Sequence, residues 1–109
     1  MISNEIKEEL IKGLQSILKG KLNAIILYGS VARGEATAES DVDIVFIIKS
    51  KLDEEEKNNF LDWNAELDLK YDKVFSIVDV EKDLLDKWGA VVPFYRNIKE
   101  EGVVLWKAA

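Results

Sequence analysis

The stretch that decides the fold is LYGSVARGEATAESDVDIVFII, residues 27–48. Apolar runs stand at its two ends, a Gly-Ser pair follows the first run at 29–30, and an Asp-Val-Asp triplet opens the second run at 41–43. Because side chains alternate between the two faces of a strand, the two aspartates are expected on one face and the valine between them in the core. The pattern therefore predicts strand, tight turn, short polar connection and strand.

The polar residues of this stretch indicate a particular chemistry. Carboxylates held side by side, as Asp41 and Asp43 are here, raise each other's pKa unless a cation lies between them. An oxygen-only pair suits Mg²⁺, which takes one or two carboxylates together with phosphate oxygens and water. Upstream, Gly29 allows a sharp turn close to a phosphate, and the Ser30 hydroxyl and nearby N–H groups are suitable donors to it. The stretch predicts a phosphate-binding turn beside a magnesium-binding carboxylate pair.

Composition limits the class of protein. With 109 residues and 48% hydrophobic content, residues 1–109 are expected to form one domain around a single core. The net charge of −6, from 15 basic and 21 acidic residues, argues against stand-alone nucleic-acid binding. The absence of cysteine and histidine excludes disulfides, thiol nucleophiles and histidine bases, and argues against zinc sites. A charged N-terminus and the lack of any apolar run near ~18 residues predict a cytoplasmic protein without a membrane span.

Hydrophobic periodicity and turn residues predict the remaining elements. Helices are expected from Ser3 or Asn4 to Lys19 with Gly20 as the stop, over 50–71, over 81–88, and from Pro93 to 101. Strands are expected at 23–28, 42–49, 73–80 and 103–106.

Two motifs at a fixed spacing carry a resemblance to a known family. Gly-Ser-Val-Ala-Arg-Gly at 29–34, followed by Ser-Asp-Val-Asp-Ile at 40–44, resembles the signature of the DNA-polymerase-β-like nucleotidyltransferase superfamily. The length and the helix-first layout resemble its smallest members, the minimal nucleotidyltransferases (MNT type), many of which are paired with a HEPN-domain protein as antitoxin and toxin. The resemblance implies an α/β (α+β) fold, a mixed β-sheet with helices packed on one face.

The resemblance also implies Mg²⁺-dependent transfer of a nucleoside monophosphate from a nucleoside triphosphate to an acceptor hydroxyl. The expected group is AMP, transferred from ATP, and another nucleoside triphosphate is the alternative. A site without histidine or cysteine is adequate, because such transfer depends on positioning and charge neutralisation. Asp41 and Asp43 would hold two Mg²⁺ ions about 3.5–4 Å apart. Arg33 would contact phosphate or brace the loop. The implied nucleotide-binding residues are Gly29, Ser30, Arg33 and Ser40.

The family usually adds a third carboxylate from a neighbouring strand, which binds the catalytic metal and helps to deprotonate the acceptor. Asp72, at the start of the predicted third strand, is the best candidate. Asp68 lies on a helical pattern and Asp79 at the far end of the strand, so both are weaker. The implied catalytic and metal-binding residues are therefore Asp41, Asp43 and Asp72.

Each feature alone has a simpler interpretation. The Gly-Ser pair at 29–30 is typical of a plain turn, Asp41 of a cap, Asp43 of a solvated strand position and Asp72 of a surface charge at a strand end. Their combination at this spacing favours the functional interpretation. The three tryptophans, at 63, 88 and 106, are more typical of core or interface positions than of base-stacking platforms.

Two functional classes remain open at this point. The first is an enzyme that nucleotidylates an acceptor, for example a tyrosine of a partner HEPN toxin. The second is a non-catalytic antitoxin that binds and masks a HEPN RNase. Because 109 residues leave little surface for an acceptor pocket, the acceptor is expected to be a macromolecule or to lie at an interface of a homo- or hetero-oligomer.

Overall fold

The computed structural model describes residues 2–34 and 41–108. Its helices are α1 (Asn4–Leu18), α2 (Gly29–Ala32), α3 (Glu54–Tyr71), α4 (Lys82–Trp88) and α5 (Pro93–Glu101), with a 3₁₀ turn at Lys19–Lys21. Its strands are β1 (Leu22–Tyr28), β2 (Val42–Ile48), β3 (Phe75–Glu81) and β4 (Val103–Lys107).

Within the described residues, the four strands form one mixed sheet in the order β3-β2-β1-β4. The central strand β1 runs antiparallel to both β2 and β4, whereas β2 and β3 are parallel and are connected through α3. The predicted mixed sheet is confirmed. Its two central strands are β1, which ends at Tyr28 near the start of the stretch at 27–48, and β2, which ends that stretch.

The two long helices pack on one face of this sheet, whereas α4 and α5 pack on the other, so the helices are not confined to one face as the resemblance implied. The long helices cover the even-numbered side chains of β2, of which Phe46 is fully buried and contacts the ring of Phe60 on α3. This face holds the larger core, and its helical members are buried at four- and seven-residue intervals, which correspond to one and two turns of an amphipathic helix. They are Ile6, Leu10, Leu14, Leu18, Phe60 and Leu67.

A smaller core occupies the opposite face. Val45 and Ile47 of β2 point there, and both are buried. The short helices α4 and α5 contribute one buried side chain each, Leu85 and Ile98. The sheet is therefore covered on both faces over most of β2, and Asp43 is left at the polar end of the strand.

The ends of the two long helices are set by local hydrogen bonds. Ser3 caps α1 by accepting the Ile6 N–H, but the left-handed residue that ends the helix is Lys19, at φ 50°, rather than the predicted Gly20. Helix α3 begins at Glu54 rather than near residue 50, because Asp53 and Glu56 cap each other's backbone N–H groups reciprocally. No helix in residues 2–34 and 41–108 is long and apolar enough to cross a membrane.

The contact between α1 and α3 gives a first prediction. A Cβ at Gly13 would overlap the indole ring of Trp63, with Cζ2 only 2.7 Å away. We expect Gly13→Ala to lower the free energy of unfolding by about 1 kcal/mol, since overpacking costs roughly 1–3 kcal/mol and alanine recovers about 1 kcal/mol of helix propensity. Urea denaturation measures the difference. Gly20→Ala is the control, because no atom of the described part of the chain lies within 4 Å of the added Cβ, and equal losses in both variants would contradict the prediction.

Candidate functional site

The predicted turn and the predicted carboxylate pair lie next to each other in the sheet. Because β1 and β2 are antiparallel, the end of β1 meets the start of β2, and Tyr28 stands directly opposite Asp43. Helix α2 begins at Gly29, immediately after Tyr28, and Asp41 lies exposed one residue before β2. The backbone register therefore brings Gly29 and the two aspartates together, as the sequence predicted.

Gly29 is held directly against the Asp43 side chain. Its φ of +74° lies in the left-handed region, which glycine adopts without a steric penalty. A Cβ at this position would overlap the Asp43 carboxylate and lie 3.1 Å from its Cγ. Only a glycine allows the backbone both to turn here and to lie this close to the carboxylate.

The electrostatics of Asp43 indicate a place for a cation. Burial raises the pKa of the Asp43 carboxyl above its ordinary value, the negative charge of Asp41 raises it further, and the Arg33 guanidinium opposes both effects. The pKa of Tyr28 is raised as well, first by burial and then by the charge of Asp43. Negative charge is thus concentrated between two strands in a partly desolvated position, which a bound cation would stabilise.

Arg33 connects this site to α5. Its backbone N–H donates to the Gly29 carbonyl and closes the turn of α2, and its guanidinium forms an ion pair with Glu101 at 3.6 Å. The charge of Arg33 also acts on Asp43, and both roles considered for Arg33, phosphate contact and bracing of the loop, stay predictions. Glu101, which no sequence motif indicated, enters the site through this contact.

The two serines of the predicted set lie on either side of the short polar connection. Ser30 belongs to α2 and directly follows Gly29. Ser40 lies outside the described residues, as does the rest of the connection at 35–40.

Asp72 does not stand at the start of the third strand, so that expectation is wrong. Helix α3 runs to Tyr71, and Asp72 ends it as an exposed left-handed residue at φ 49°, a conformation that Asp tolerates better than most residues. Strand β3 begins only at Phe75. Within residues 2–34 and 41–108, no three His, Cys, Asp or Glu side chains form a group able to hold a metal ion. The structure therefore does not join Asp72 to the carboxylate pair.

The structure also shows where the two weaker candidates for the third carboxylate, Asp68 and Asp79, lie. The Asp68 carboxylate accepts the Phe75 N–H at 2.8 Å and so ties the end of α3 to the start of β3. Asp79 is paired with Phe46, which points to the α1–α3 face, so Asp79 lies on the opposite face from Asp43. The β3 residue beside Asp43 is Ser76, a position that only the strand register reveals.

The donor set at the start of β2 fits Mg²⁺. Asp41 and Asp43 offer carboxylate oxygens only, the ligands this ion prefers, and two carboxylates leave coordination positions for phosphate oxygens and water. The raised pKa of Asp43 in the metal-free protein shows that its ionised form is disfavoured, and a bound cation would offset that effect.

Comparison with known proteins agrees with this geometry. The family model described as "Polymerase beta, Nucleotidyltransferase" matches residues 8–108, nearly the whole chain. The chain belongs to this nucleotidyltransferase family. The resemblance drawn from the motifs at 29–34 and 40–44 is confirmed, and so is the fold class that it implied.

The nucleotidyltransferase is similar over most of its length to proteins of Methanocaldococcus jannaschii. The protein named "Putative protein adenylyltransferase MJ0604" is 35% identical over 91% of this chain and 93% of its own length. The protein named "Putative protein adenylyltransferase MJ0141" is 38% identical over 73% of this chain and 81% of its own length.

Solved structures share the fold at lower identity. One is a chain of a toxin–antitoxin crystal structure with AMP-PNP, with a TM-score of 0.65 and 22% identity over 94% of this chain and 73% of that chain. Another belongs to a structure of a tri-AMPylated Shewanella oneidensis HEPN toxin in complex with an MNT antitoxin, with a TM-score of 0.63 and 19% identity over 98% of this chain and 74% of that chain. At these identities the likeness shows the fold.

Proposed function

We propose that this nucleotidyltransferase transfers AMP from ATP to a hydroxyl group of a partner protein, in a reaction that requires Mg²⁺. The observation that carries the proposal is the contact between the turn at Gly29 and the Asp43 carboxylate, beside Asp41. It combines a backbone that allows close approach of phosphate with an oxygen-only cation site. Relatives that are 35% and 38% identical and carry the name protein adenylyltransferase support the choice of AMP and of a protein acceptor.

Asp41 and Asp43 are the residues that would hold two Mg²⁺ ions. Bound magnesium would neutralise the negative charge that develops on the phosphates during transfer. Because burial and the neighbouring Asp41 raise the pKa of Asp43, cation binding competes with a proton there, and affinity is expected to fall at acid pH. Gly29, Ser30, Arg33 and Ser40 remain the proposed contacts for the nucleotide.

The proposed transfer changes no oxidation state, so it needs no oxidant or reductant. The acceptor oxygen forms a bond to the α-phosphorus of ATP, the bond from that phosphorus to the β-phosphate oxygen breaks, and pyrophosphate leaves. The proton of the acceptor hydroxyl passes to water. Such a reaction needs in-line positioning and charge neutralisation, both of which a site without histidine and cysteine can supply.

The proposed partner is a HEPN-family toxin. A structure that shares this fold holds an AMPylated HEPN toxin together with an MNT antitoxin, and another is a toxin–antitoxin complex with AMP-PNP. The protein would then work as part of a hetero-oligomer in the cytoplasm, where ATP is supplied.

One observation favours a second candidate, a non-catalytic antitoxin that masks a HEPN RNase. The residue beside Asp43 on β3 is Ser76 rather than a carboxylate, and the described residues bring no third acidic side chain to the pair. A site of two carboxylates suits metal and nucleotide binding even where it lacks a group to deprotonate the acceptor.

Calorimetric titration tests the binding on which the enzymatic proposal depends. ATP and the other nucleoside triphosphates are added, with and without Mg²⁺, to wild type, Asp41→Asn and Asp79→Asn. We expect Mg²⁺-dependent binding to wild type and to Asp79→Asn, whose carboxylate lies on the opposite face, and at least about tenfold weaker binding to Asp41→Asn. Failure of folded wild type to bind any triphosphate would contradict the proposal.

Label transfer then separates the two candidate functions. The protein is incubated with ATP labelled at the α-phosphate, Mg²⁺ and a HEPN-domain protein. Covalent labelling of that protein supports the transferase. Tight association and RNase inhibition without labelling would support the masking antitoxin.

A further inference from the structure

Ser76 lies beside Asp43 on one face of the sheet. The parallel register pairs Asp43 of β2 with Ser76 of β3 and, two residues further along, Val45 with Val78. Paired residues of neighbouring strands point to the same face, at a strand spacing of about 4.8 Å. Val45 belongs to the smaller core under α4 and α5, so Asp43 and Ser76 stand on that face. The neighbour of the Asp43 carboxylate on β3 is therefore a half-buried hydroxyl side chain.

The start of β3 is fixed to α3, which determines where Ser76 stands. The Phe75 N–H donates to the Asp68 carboxylate at 2.8 Å, and the Phe75 carbonyl accepts from the Asn64 amide at 3.2 Å. The Phe75 side chain is buried in the larger core, on the face opposite Asp43. Because strand side chains alternate, this anchoring of Phe75 turns Ser76 toward the Asp43 face. A slip of one residue would break these bonds and expose the Phe75 ring.

Acidic side chains from elsewhere do not supply the carboxylate that position 76 lacks. In the part of the chain that the structure describes, no group of three His, Cys, Asp or Glu side chains is placed to hold a metal ion. Asp79, the nearest carboxylate along β3, stands on the opposite face, and Asp72 is the exposed residue that ends α3. The described residues thus offer a cation two carboxylates, Asp41 and Asp43, with a neutral hydroxyl beside them.

We propose that Ser76 makes Mg²⁺ binding by this protein depend on the nucleotide. Mg²⁺ gives up its water reluctantly, and the sites that hold it supply one or two carboxylates together with phosphate oxygens. With a hydroxyl at position 76, the free protein holds the ion weakly, and the triphosphate brings the remaining charged oxygens. A carboxylate at position 76 would instead retain the ion without nucleotide. This inference rests on the proposed function, and it assigns to Ser76 the control of metal loading at the same site.

Titration with Mn²⁺ in the absence of nucleotide tests the role of Ser76. Mn²⁺ accepts the same oxygen ligands as Mg²⁺, and its free form is counted by its electron paramagnetic resonance signal. We expect Ser76→Asp to bind Mn²⁺ at least about tenfold more tightly than wild type, because affinity rises with the number of charged ligands. Ser76→Ala should bind Mn²⁺ as weakly as wild type.

Val78→Asp is the matched control. It adds the same charge to the same strand and face, at a position that is 37% exposed and paired with Val45 rather than with Asp43. It should bind Mn²⁺ like wild type, which separates a ligand beside Asp43 from a general increase in negative charge. Circular dichroism establishes that each variant is folded, and Ser76→Glu replaces Ser76→Asp if the latter unfolds without metal.

Thermal melts give a second readout, because Mn²⁺ should raise the melting temperature of Ser76→Asp more than that of wild type. A folded Ser76→Asp that gains no affinity over wild type, or an equal gain in Val78→Asp, would overturn the proposal. These measurements use no ATP, so they are independent of the nucleotide titration. A gain in Ser76→Asp together with no ATP binding by wild type would leave the control of metal affinity by Ser76 standing and contradict the proposed function.

Discussion

Asp43→Asn is expected to abolish Mg²⁺-dependent nucleotidyl transfer and, at the same time, to raise the melting temperature of the metal-free protein. The loss of transfer should be at least about a hundredfold, because removal of even an outer-shell partner of a metal ligand costs roughly 10–100-fold. The gain in stability has a separate cause. Burial and the charge of Asp41 both disfavour the ionised Asp43 carboxylate, and the neutral amide is free of both effects.

The gain in stability should depend on pH with a definite sign. The pKa of Asp43 is higher in the folded protein than in the unfolded chain, so its ionisation destabilises the fold. This destabilisation is absent below the unfolded pKa of about 3.9 and complete once the pH has risen through the folded pKa. Asp43→Asn should therefore exceed wild type in melting temperature at neutral pH and approach it at about pH 3.

Thermal melts of the metal-free protein at the two pH values measure this effect, and labelled ATP measures transfer. Asp79→Asn is the control, because its carboxylate lies on the face of the sheet opposite Asp43, and it should keep both properties of wild type. Addition of Mg²⁺ should stabilise wild type and leave Asp43→Asn almost unchanged. A variant that melts below wild type at neutral pH would contradict the electrostatic account.

Gly29→Ala is expected to weaken Mg²⁺–nucleotide binding and to slow nucleotidyl transfer by about a hundredfold, the scale of rate loss that a misplacement of roughly 1 Å causes in a catalytic site. The added Cβ would overlap the Asp43 carboxylate, so the turn and the carboxylate cannot keep their present positions. The free energy of unfolding should fall by about 2–5 kcal/mol, from left-handed strain of roughly 1–2 kcal/mol and overpacking of roughly 1–3 kcal/mol.

Gly34→Ala separates the two contributions. Gly34 has the same φ of +74°, but no atom of residues 2–34 and 41–108 lies within 4 Å of the position that its Cβ would take. It should therefore lose only about 1–2 kcal/mol of stability, through backbone strain. Urea denaturation and calorimetric titration of both variants give the comparison. If the two variants lose affinity equally, contact between position 29 and Asp43 is not what shapes the site.

The sequence by itself determined the central strands, the fold class and the adjacency of the turn to the carboxylate pair. Residues 27–48 carry this information locally, because strand periodicity places Val42 and Ile44 in the core and a glycine is needed where the chain turns. The amphipathic period of α1 is equally local, and its predicted range differs from the observed helix by one residue.

Only the tertiary structure decided what stands beside Asp43. The register between β2 and β3 places Ser76 there and puts Asp79 on the opposite face, and no local pattern encodes that register. Asp72 was misplaced because the end of α3 depends on a left-handed cap and on Asp68 holding the Phe75 N–H, a bond between two elements. The exposure of Trp88, Val91 and Phe94 likewise follows from how α4 and α5 lie on the sheet. Sequence periodicity specifies which faces of an element are apolar, whereas long-range packing determines which of those faces are covered and which acidic groups meet.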